Sequence, residues 1–171
     1  METLSRLTEQ RGPWALLFSS AFLLELTALY FQYGMGLAPC IMCIYQRTAV
    51  LGIMMSALLV LIINNGISRF VAYLTWGVSA IWGTLIAVEH VDIQTAANPF
   101  FASCEIVPNF PSFMPLHEWI PAFFAATGDC GDIDWQFLTL SMPQWMIVIL
   151  GFYSVVFVAA LFTRLLKHHR F

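Results

Sequence analysis

Four long apolar segments constrain the fold of this chain more than any other feature. They are predicted to span residues 14–33, 44–63, 70–88 and 144–163. Each has about the 20 mostly apolar residues that an α-helix needs to cross the hydrocarbon core of a bilayer. The composition agrees, because 60% of the residues are hydrophobic and only 10% are charged, whereas soluble domains carry about 25% charged residues. The sequence therefore predicts an all-α, four-helix transmembrane bundle.

The remaining segments are short enough to belong to one unit. We expect residues 1–171 to form a single integral membrane domain with two outer loops, at 34–43 and 89–143. In the longer loop, residues 115–126 carry apolar side chains at helical spacing, interrupted by Pro121. This pattern predicts a short helix lying at the membrane interface, although packing of an ordinary loop against the bundle explains it equally well.

The basic residues predict the orientation in the membrane. Six of the seven fall on one side of the predicted bundle: Arg6, Arg11, Arg69, Arg164, Lys167 and Arg170. The stretch from 90 to 143 has no Lys or Arg, although it holds six acidic residues. Cytoplasmic loops are enriched in Lys and Arg, so both termini are predicted to be cytoplasmic and all four cysteines to lie on the opposite side. No basic patch suggests binding to nucleic acid.

The four cysteines are the strongest indication of chemistry. Cys40 and Cys43 form a C-x-x-C motif at the start of the second span, and Cys104 and Cys130 lie in the long loop. Two structural disulfides are one interpretation, but a C-x-x-C bridge closes so short a loop that it stabilises little. A four-cysteine zinc site is another, but the loop pair forms no second C-x-x-C. Redox catalysis is favoured over both, so no metal site is expected.

Several polar residues near the C-x-x-C motif have two interpretations each. Arg47 follows Cys43 by one helical turn, where it would favour a thiolate and stabilise an anionic acceptor, or would only reach out to the lipid headgroups. His90 is predicted at the same depth, as a donor to a ring carbonyl or as an interfacial residue without a role. Glu25 is a buried, hydrogen-bonded carboxyl or a proton relay. Gln46 is expected to donate a hydrogen bond near Cys43.

One continuous segment carries a resemblance to a known family. The run Pro39-Cys40-Ile41-Met42-Cys43-Ile44-Tyr45-Gln46-Arg47 resembles the active-site segment of the DsbB family of bacterial disulfide-bond formation proteins. The similarity extends, at similar spacing, through Glu25-Leu26-Thr27-Ala28-Leu29, Glu89-His90, Pro99-Phe100, Cys104, Gly128-Asp129-Cys130 and Met142-Pro143-Gln144-Trp145. It therefore covers essentially the whole chain.

The resemblance implies an activity, a cofactor and a partner. The expected protein is a protein-dithiol:quinone oxidoreductase of the bacterial inner membrane, with its cysteines in the periplasm. The cofactor is a quinone, either ubiquinone or menaquinone, and the partner is the periplasmic thioredoxin-fold protein DsbA. This DsbA–DsbB–quinone route is the one known to keep the bacterial periplasm oxidising. The chain is expected to work as a monomer beside the lipid and quinone pool.

The resemblance also implies a role for each site residue. Cys104 and Cys130 match the loop pair that reoxidises the partner. Cys40 and Cys43 match the pair that reduces the quinone. Two further positions, Arg47 and His90, match residues associated with the quinone, with Cys43 in contact with it. Gln46 stands where relatives can carry an acid.

Three alternatives remain open at this point. A paralogue of the DsbI type would serve one dedicated partner. An enzyme similar to vitamin K epoxide reductase would perform related quinone chemistry on a bundle with different connectivity. A non-catalytic four-span scaffold would use its cysteines only for structural disulfides.

Overall fold

Four long helices build the protein, as the sequence predicts. The computed structural model describes residues 11–96 and 108–168. Helix α1 runs from Arg11–Leu29, α2 covers Ile41–Ile62, α3 covers Gly66–Thr95, and the last helix, α6, covers Met142–His168. All four are long and apolar enough to cross a membrane. The chain is therefore a multi-pass membrane protein, and its all-α fold is confirmed.

The helix ends differ from the predicted spans. Helix α3 begins at Gly66 and continues to Thr95, past the predicted end at 88. Its start is fixed by a capping box in which Asn65 and Ser68 bond each other's backbone N–H groups. The polar residues after 88 end the apolar run without stopping the helix, because no Pro or Gly follows before Pro99. The outer loop predicted from residue 89 therefore begins at Ala96, and His90 lies within a helix.

The first outer loop is also shorter than predicted. Helix α1 continues as a π-helical turn over Tyr30–Gly34, and α2 already begins at Ile41. The C-x-x-C motif therefore belongs to the start of α2 and does not end the loop: Cys40 is the N-cap residue, and Cys43 lies in the first turn. The π turn carries Gln32, and such turns are frequent at functional sites. Nothing in the apolar pattern of the sequence predicts it.

The bundle packs in the order α1, α2, α3 and α6, with α2 against both α1 and α3. Helices α2 and α3 approach closely, because a Cβ at Gly83 would lie 2.7 Å from the Cβ of Ala49. Small residues allow such approaches between membrane helices. At the opposite end from the cysteines, Trp14 packs edge-on against Tyr73 and Trp76. The helices therefore form a close-packed frame, with the cysteine motif at one end.

The described part of the long loop contains two one-turn helices and a small hairpin. Helix α4 is Leu116–Trp119 and α5 is Pro121–Phe124. The break confirms the predicted interruption, because Pro121 takes the first position of a new helix. Trp119 and Ile120 are exposed, which agrees with an interfacial position, but that position stays a prediction.

The sequence did not predict the hairpin. Strands β1, Gln136–Phe137, and β2, Leu140–Ser141, pair antiparallel just before α6. Leu138 and Thr139 form the turn with positive φ angles of 50° and 67°. These angles normally favour Gly, Asn or Asp, so the residue types give no turn signal here.

Candidate functional site

Cys40 and Cys43 share the first turn of α2. Cys40 is the N-cap residue, and its Sγ accepts a hydrogen bond from the backbone N–H of Cys43 at 3.2 Å. Both cysteines are free, with Cys40 buried and Cys43 partly accessible. A hydrogen bond to the Cys43 thiol, together with burial, raises the pKa of the Cys40 thiol. The pair is therefore asymmetric, and Cys43 is the better candidate for the thiolate.

His90 lies between the two cysteine-bearing segments. Its Nε2 is 3.6 Å from the Cys40 Sγ and 3.2 Å from the backbone oxygen of Cys130. Its Nδ1 is 3.2 Å from Nε2 of Gln46, which can only donate. The ring is therefore neutral, with its proton on Nε2 pointing towards Cys130. The sequence-based expectation that Gln46 bonds near Cys43 is wrong, because its amide is directed to His90.

Two backbone hydrogen bonds dock the long loop beside the C-x-x-C motif. The N–H groups of Thr127 and Gly128 both donate to the carbonyl oxygen of Pro39, at 2.9 and 3.0 Å. Gly128 has no space for a side chain, because a Cβ there would lie 2.3 Å from the backbone oxygen of Ala38. This close approach delivers Cys130, which is 1% exposed, to the sulfur of Cys40.

The docked loop brings sulfur atoms from different loops together. The Sγ atoms of Cys40 and Cys130 and a ring nitrogen of His90 all lie within 4.8 Å of one another. Such a triangle resembles a set of metal ligands, but Cys130 is disulfide-bonded and so offers no thiolate. The geometry fits thiol–disulfide exchange between Cys40 and Cys130 better than it fits a metal site. Cys104, the other predicted loop cysteine, lies outside the described residues.

Arg47 is held inside the protein by groups from three segments. One terminal nitrogen donates to Oε1 of Gln32 at 2.8 Å and to the backbone oxygen of Phe123 at 2.7 Å. The guanidinium also lies 4.7 Å above the ring centre of Phe123, and its Nε is 4.0 Å from Oε2 of Glu25. The side chain is buried, so the interpretation that it reaches out to the headgroups is wrong.

Glu25 is buried without a hydrogen bond. Both of its carboxyl oxygens lack a hydrogen-bond partner among residues 11–96 and 108–168. Its nearest charged group is Arg47, so the expectation of a hydrogen-bonded carboxyl is wrong. A buried polar group without a partner is costly and therefore needs explanation.

A cavity of about 380 Å³ joins these groups. Glu25, Cys43, Arg47 and His90 contribute polar atoms to its wall. The rest of the wall is mainly apolar and includes residues of α1, α6 and the hairpin segment: Leu24, Phe31, Trp135, Phe137, Met146 and Ile149. A mainly apolar molecule with a few polar atoms suits such a site.

Sequence reasoning missed Gln32 and Trp135 as parts of this site. Gln32 is reached through the unpredicted π turn and fixes Arg47. Trp135 stands in the loop and packs on Phe31, with ring centres 5.1 Å apart. Aromatic enrichment of the loop was the signal available, but it gives no indication of which rings face the cavity.

Known proteins are similar to this chain over nearly its whole length. The chain matches the family model described as "Disulfide bond formation protein DsbB" over residues 10–160. It is 59% identical over 166 residues to "Disulfide bond formation protein B" of Pseudoalteromonas atlantica, which covers 97% of each chain. It is 49% identical to the protein of that name from Psychromonas ingrahamii, covering 96% of this chain and 89% of the relative. It is 45% identical to the protein of that name from Aeromonas hydrophila, covering 98% of this chain and 96% of the relative.

Proposed function

The chain belongs to the DsbB family of disulfide bond formation proteins, and we propose that it oxidises a periplasmic dithiol protein, DsbA, and passes the electrons to a membrane quinone. Its family makes it a membrane protein of disulfide bond formation and a disulfide-forming oxidoreductase. The observation that carries the finer proposal is the position of Cys40, which lies against Cys130 on one side and shares a helical turn with Cys43 on the other.

The sulfur geometry supports a defined order of exchange. A thiolate of the partner attacks Cys104, which releases Cys130 as a thiolate. Cys130 then attacks Cys40 of a Cys40–Cys43 disulfide, since these two sulfurs lie within 4.8 Å. The bond between Cys40 and Cys43 breaks, and Cys43 leaves as the thiolate. The second thiol of the partner then displaces Cys104, and Cys104 attacks Cys130. This last exchange restores the loop disulfide and releases Cys40 as a thiolate. Each exchange conserves one disulfide and moves two electrons towards Cys43.

The hydrogen bonds of His90 assist this exchange. The Nε2–H group donates to the backbone oxygen of Cys130 and lies beside the Cys40 sulfur. It therefore keeps the sulfur atoms of Cys40 and Cys130 close to each other and stabilises negative charge that appears on Cys40. His90 also lines the cavity. Its contact with a quinone, which the family resemblance implies, stays a prediction.

The cavity fits the ring of a quinone. Its mainly apolar wall suits a lipid-soluble ring, and Arg47 and Glu25 supply a cation and an unpartnered carboxyl at one end. A bound quinone would supply an acceptor for two electrons and two protons. Arg47 stabilises the negative charge that develops on a ring oxygen. Cys43 lies in the same wall and supplies the electrons as Cys40 and Cys43 close their disulfide.

The energetics favour a quinone as the final acceptor. The family's partner is a strong oxidant with a reduction potential of about −120 mV, so its reoxidation needs an acceptor of higher potential. Each 30 mV corresponds to about 1.4 kcal/mol for a two-electron couple. A quinone pool that respiration keeps oxidised supplies this driving force, whereas a glutathione couple does not.

The charge distribution supports a bacterial inner-membrane location with cytoplasmic termini. Arg11 begins α1, Arg69 lies in the first turn of α3, and Arg164 is near the end of α6. These ends lie at the opposite side of the bundle from Cys40. The positive-inside rule then assigns the cysteines to the periplasm.

Two cysteine variants test the proposal. With purified protein, quinone and a reduced thioredoxin-fold dithiol, Cys43→Ser should abolish quinone reduction. Cys104→Ser should abolish oxidation of the dithiol while a small dithiol that reaches Cys40–Cys43 directly still reduces the quinone. Parental turnover in both variants would refute the relay.

Thiol trapping tests the scaffold alternative separately. A scaffold with structural disulfides would pair Cys40 with Cys43, whereas both thiols are free in this structure. We therefore expect Cys40 and Cys43 to be trapped as thiols after addition of the reduced partner and to become protected again on addition of quinone. Unchanged labelling through both additions would favour the scaffold.

A further inference from the structure

We infer that Glu25 is the proton donor to the bound quinone, an inference that rests on the proposed function. Glu25 lies four residues before the end of α1 at Leu29, is 5% exposed and lines the cavity together with Cys43 and Arg47. Both carboxyl oxygens lack a hydrogen-bond partner within the described part of the chain. Burying an unpaired polar group costs about 1–3 kcal/mol. A ligand in the cavity would provide the missing partner.

The other polar groups of the buried wall are less suited to supply a proton. Arg47 cannot be deprotonated in a protein, and its terminal nitrogen is engaged by Gln32 and Phe123. The Nε2–H group of His90 is directed to Cys130, and its Nδ1 accepts from Gln46. Glu25 alone among these three combines a transferable proton with oxygens that accept no hydrogen bond from the described residues.

The surroundings of Glu25 allow it to change charge. Arg47 of α2 faces it at 4.0 Å and stabilises the carboxylate that remains after proton transfer. Helix α6 contributes only uncharged residues to the cavity, among them Met146 and Ile149. His90 of α3 and the thiols of Cys40 and Cys43 are the remaining titratable groups of the inner wall.

Groups nearer the solvent complete the surroundings. Tyr33, in the π turn that follows α1, contributes an exposed phenol near Arg47. The outer part of the cavity is lined by three exposed aspartates, Asp129, Asp132 and Asp134. These three aspartates are the acidic groups at the outer end of the cavity.

Atoms and electrons balance in the proposed step. Closing the Cys40–Cys43 disulfide releases two electrons and two protons, and forming the quinol consumes two of each. The Glu25 O–H bond breaks and a ring O–H bond forms. Of the two protons that oxidation of the dithiol releases, one restores the Glu25 carboxyl and the other protonates the second ring oxygen. Glu25 is therefore unchanged after each turnover, and the quinol has two O–H bonds.

Two substitutions separate proton transfer from packing. Glu25→Gln keeps the size and the hydrogen-bonding capacity but cannot release a proton. We expect it to lower kcat for quinone reduction by ~10²-fold or more, as loss of a general acid does, with KM for quinone within about threefold of the parent. Glu25→Asp should retain part of kcat. Exchange between the partner and the loop cysteines should proceed at the parental rate in both.

A matched control addresses the charge change. Glu118→Gln makes the same substitution at an exposed carboxyl of helix α4, and this residue does not line the cavity. We expect its quinone kinetics to equal those of the parent. An equal loss of kcat in both glutamine variants would refute a special role for Glu25.

Infrared difference spectroscopy gives a readout that does not depend on turnover. A protonated carboxylic acid has its own C=O stretching band. We expect this band to shift when an oxidised quinone is added to the parent, and to be absent from the difference spectrum of Glu25→Gln. If the glutamine variant fails to fold, Glu25→Asp makes the assignment, because the band should then appear at a different frequency. A band that does not respond to quinone would overturn the inference.

Failure of the inference and failure of the proposed function give different results. If the parent does not reduce quinone, the proposed function itself is wrong. If the parent is active and Glu25→Gln has parental kcat, only the role of Glu25 is wrong. If both substitutions at position 25 weaken quinone binding without lowering kcat, Glu25 is a binding residue and not the donor.

Discussion

Gly128 contacts the backbone at Ala38 so closely that the two segments touch without an intervening side chain. A Cβ at position 128 would lie 2.3 Å from the Ala38 carbonyl oxygen and 3.0 Å from its carbonyl carbon. Real Cβ atoms do not approach backbone so closely, so any larger residue must separate the segments. The same contact sets the position of Cys130 two residues later.

Gly128→Ala is therefore expected to slow exchange between the two cysteine pairs. The measurement uses a background of Cys43→Ser and Cys104→Ser, which leaves only Cys40 and Cys130 to form a bridge. We expect oxidant-driven bridge formation to slow by about tenfold or more, because loss of positioning reduces effective concentration. Gly131→Ala is the matched control, since the nearest atom its Cβ would meet among residues 11–96 and 108–168 belongs to the movable side chain of Asp129, at 3.3 Å. Equal rates in the two variants would contradict the docking role.

The asymmetry of the C-x-x-C pair predicts an order of alkylation. The hydrogen bond to the Cys43 thiol and burial raise the pKa of Cys40, so Cys40 remains a protonated thiol as the pH rises through the ordinary cysteine pKa of about 8.5. In the reduced protein, a small alkylating reagent should therefore modify Cys43 first at pH 7–8. Reactivity of Cys40 should appear only at higher pH. Mass spectrometry over a pH series measures both.

A variant identifies the cause of that asymmetry. In Cys43→Ser the thiol partner is replaced by a hydroxyl, so Cys40 alkylation should move towards lower pH while burial still limits its rate. If Cys40 reacts before Cys43 in the parent at pH 7, the assignment of Cys43 as the thiolate is wrong.

Arg47 is expected to control quinone affinity through the geometry of its guanidinium. Arg47→Ala should raise KM for quinone by about tenfold or more. Arg47→Lys should give an intermediate value, because an ammonium keeps the charge but does not reproduce the planar fork that engages Gln32 and Phe123. Steady-state kinetics with a soluble quinone provide the measurement. Arg69→Ala removes a basic residue at the other end of the bundle and should leave KM unchanged.

Loss of the His90 ring is expected to weaken the docked loop. His90→Ala removes the donor to the backbone oxygen of Cys130 and leaves the Gln46 amide without its partner. We expect bridge formation between Cys40 and Cys130 to slow and thermal unfolding to occur at lower temperature, with a loss of about 1–3 kcal/mol for the unpaired groups. His117→Ala, in helix α4 of the outer loop, is the comparison. A parental bridging rate in His90→Ala would show that backbone docking alone aligns the sulfurs.

The helices were predictable because apolar length determines them, whereas their ends were not. Helix α3 runs on to Thr95 because hydropathy falls at Glu89 without any residue that stops a helix. The roles of the cysteines could be inferred from motif and resemblance. The contact of Arg47 with Phe123 could not, because these residues are 76 positions apart and meet through a backbone oxygen that no sequence pattern marks. The turn at Leu138 and Thr139 adopts a conformation that their residue types disfavour.

The Pro39 carbonyl holds the long loop through two successive main-chain amides. These main-chain hydrogen bonds do not depend on the neighbouring side chains, provided that proline replaces neither Thr127 nor Gly128 and that position 128 remains glycine. The outward-facing residues of the loop can therefore vary to suit different thiol proteins, while the disulfide exchange between Cys130 and Cys40 is preserved. Partner binding and electron transfer therefore depend on different parts of the loop, and one can change without the other.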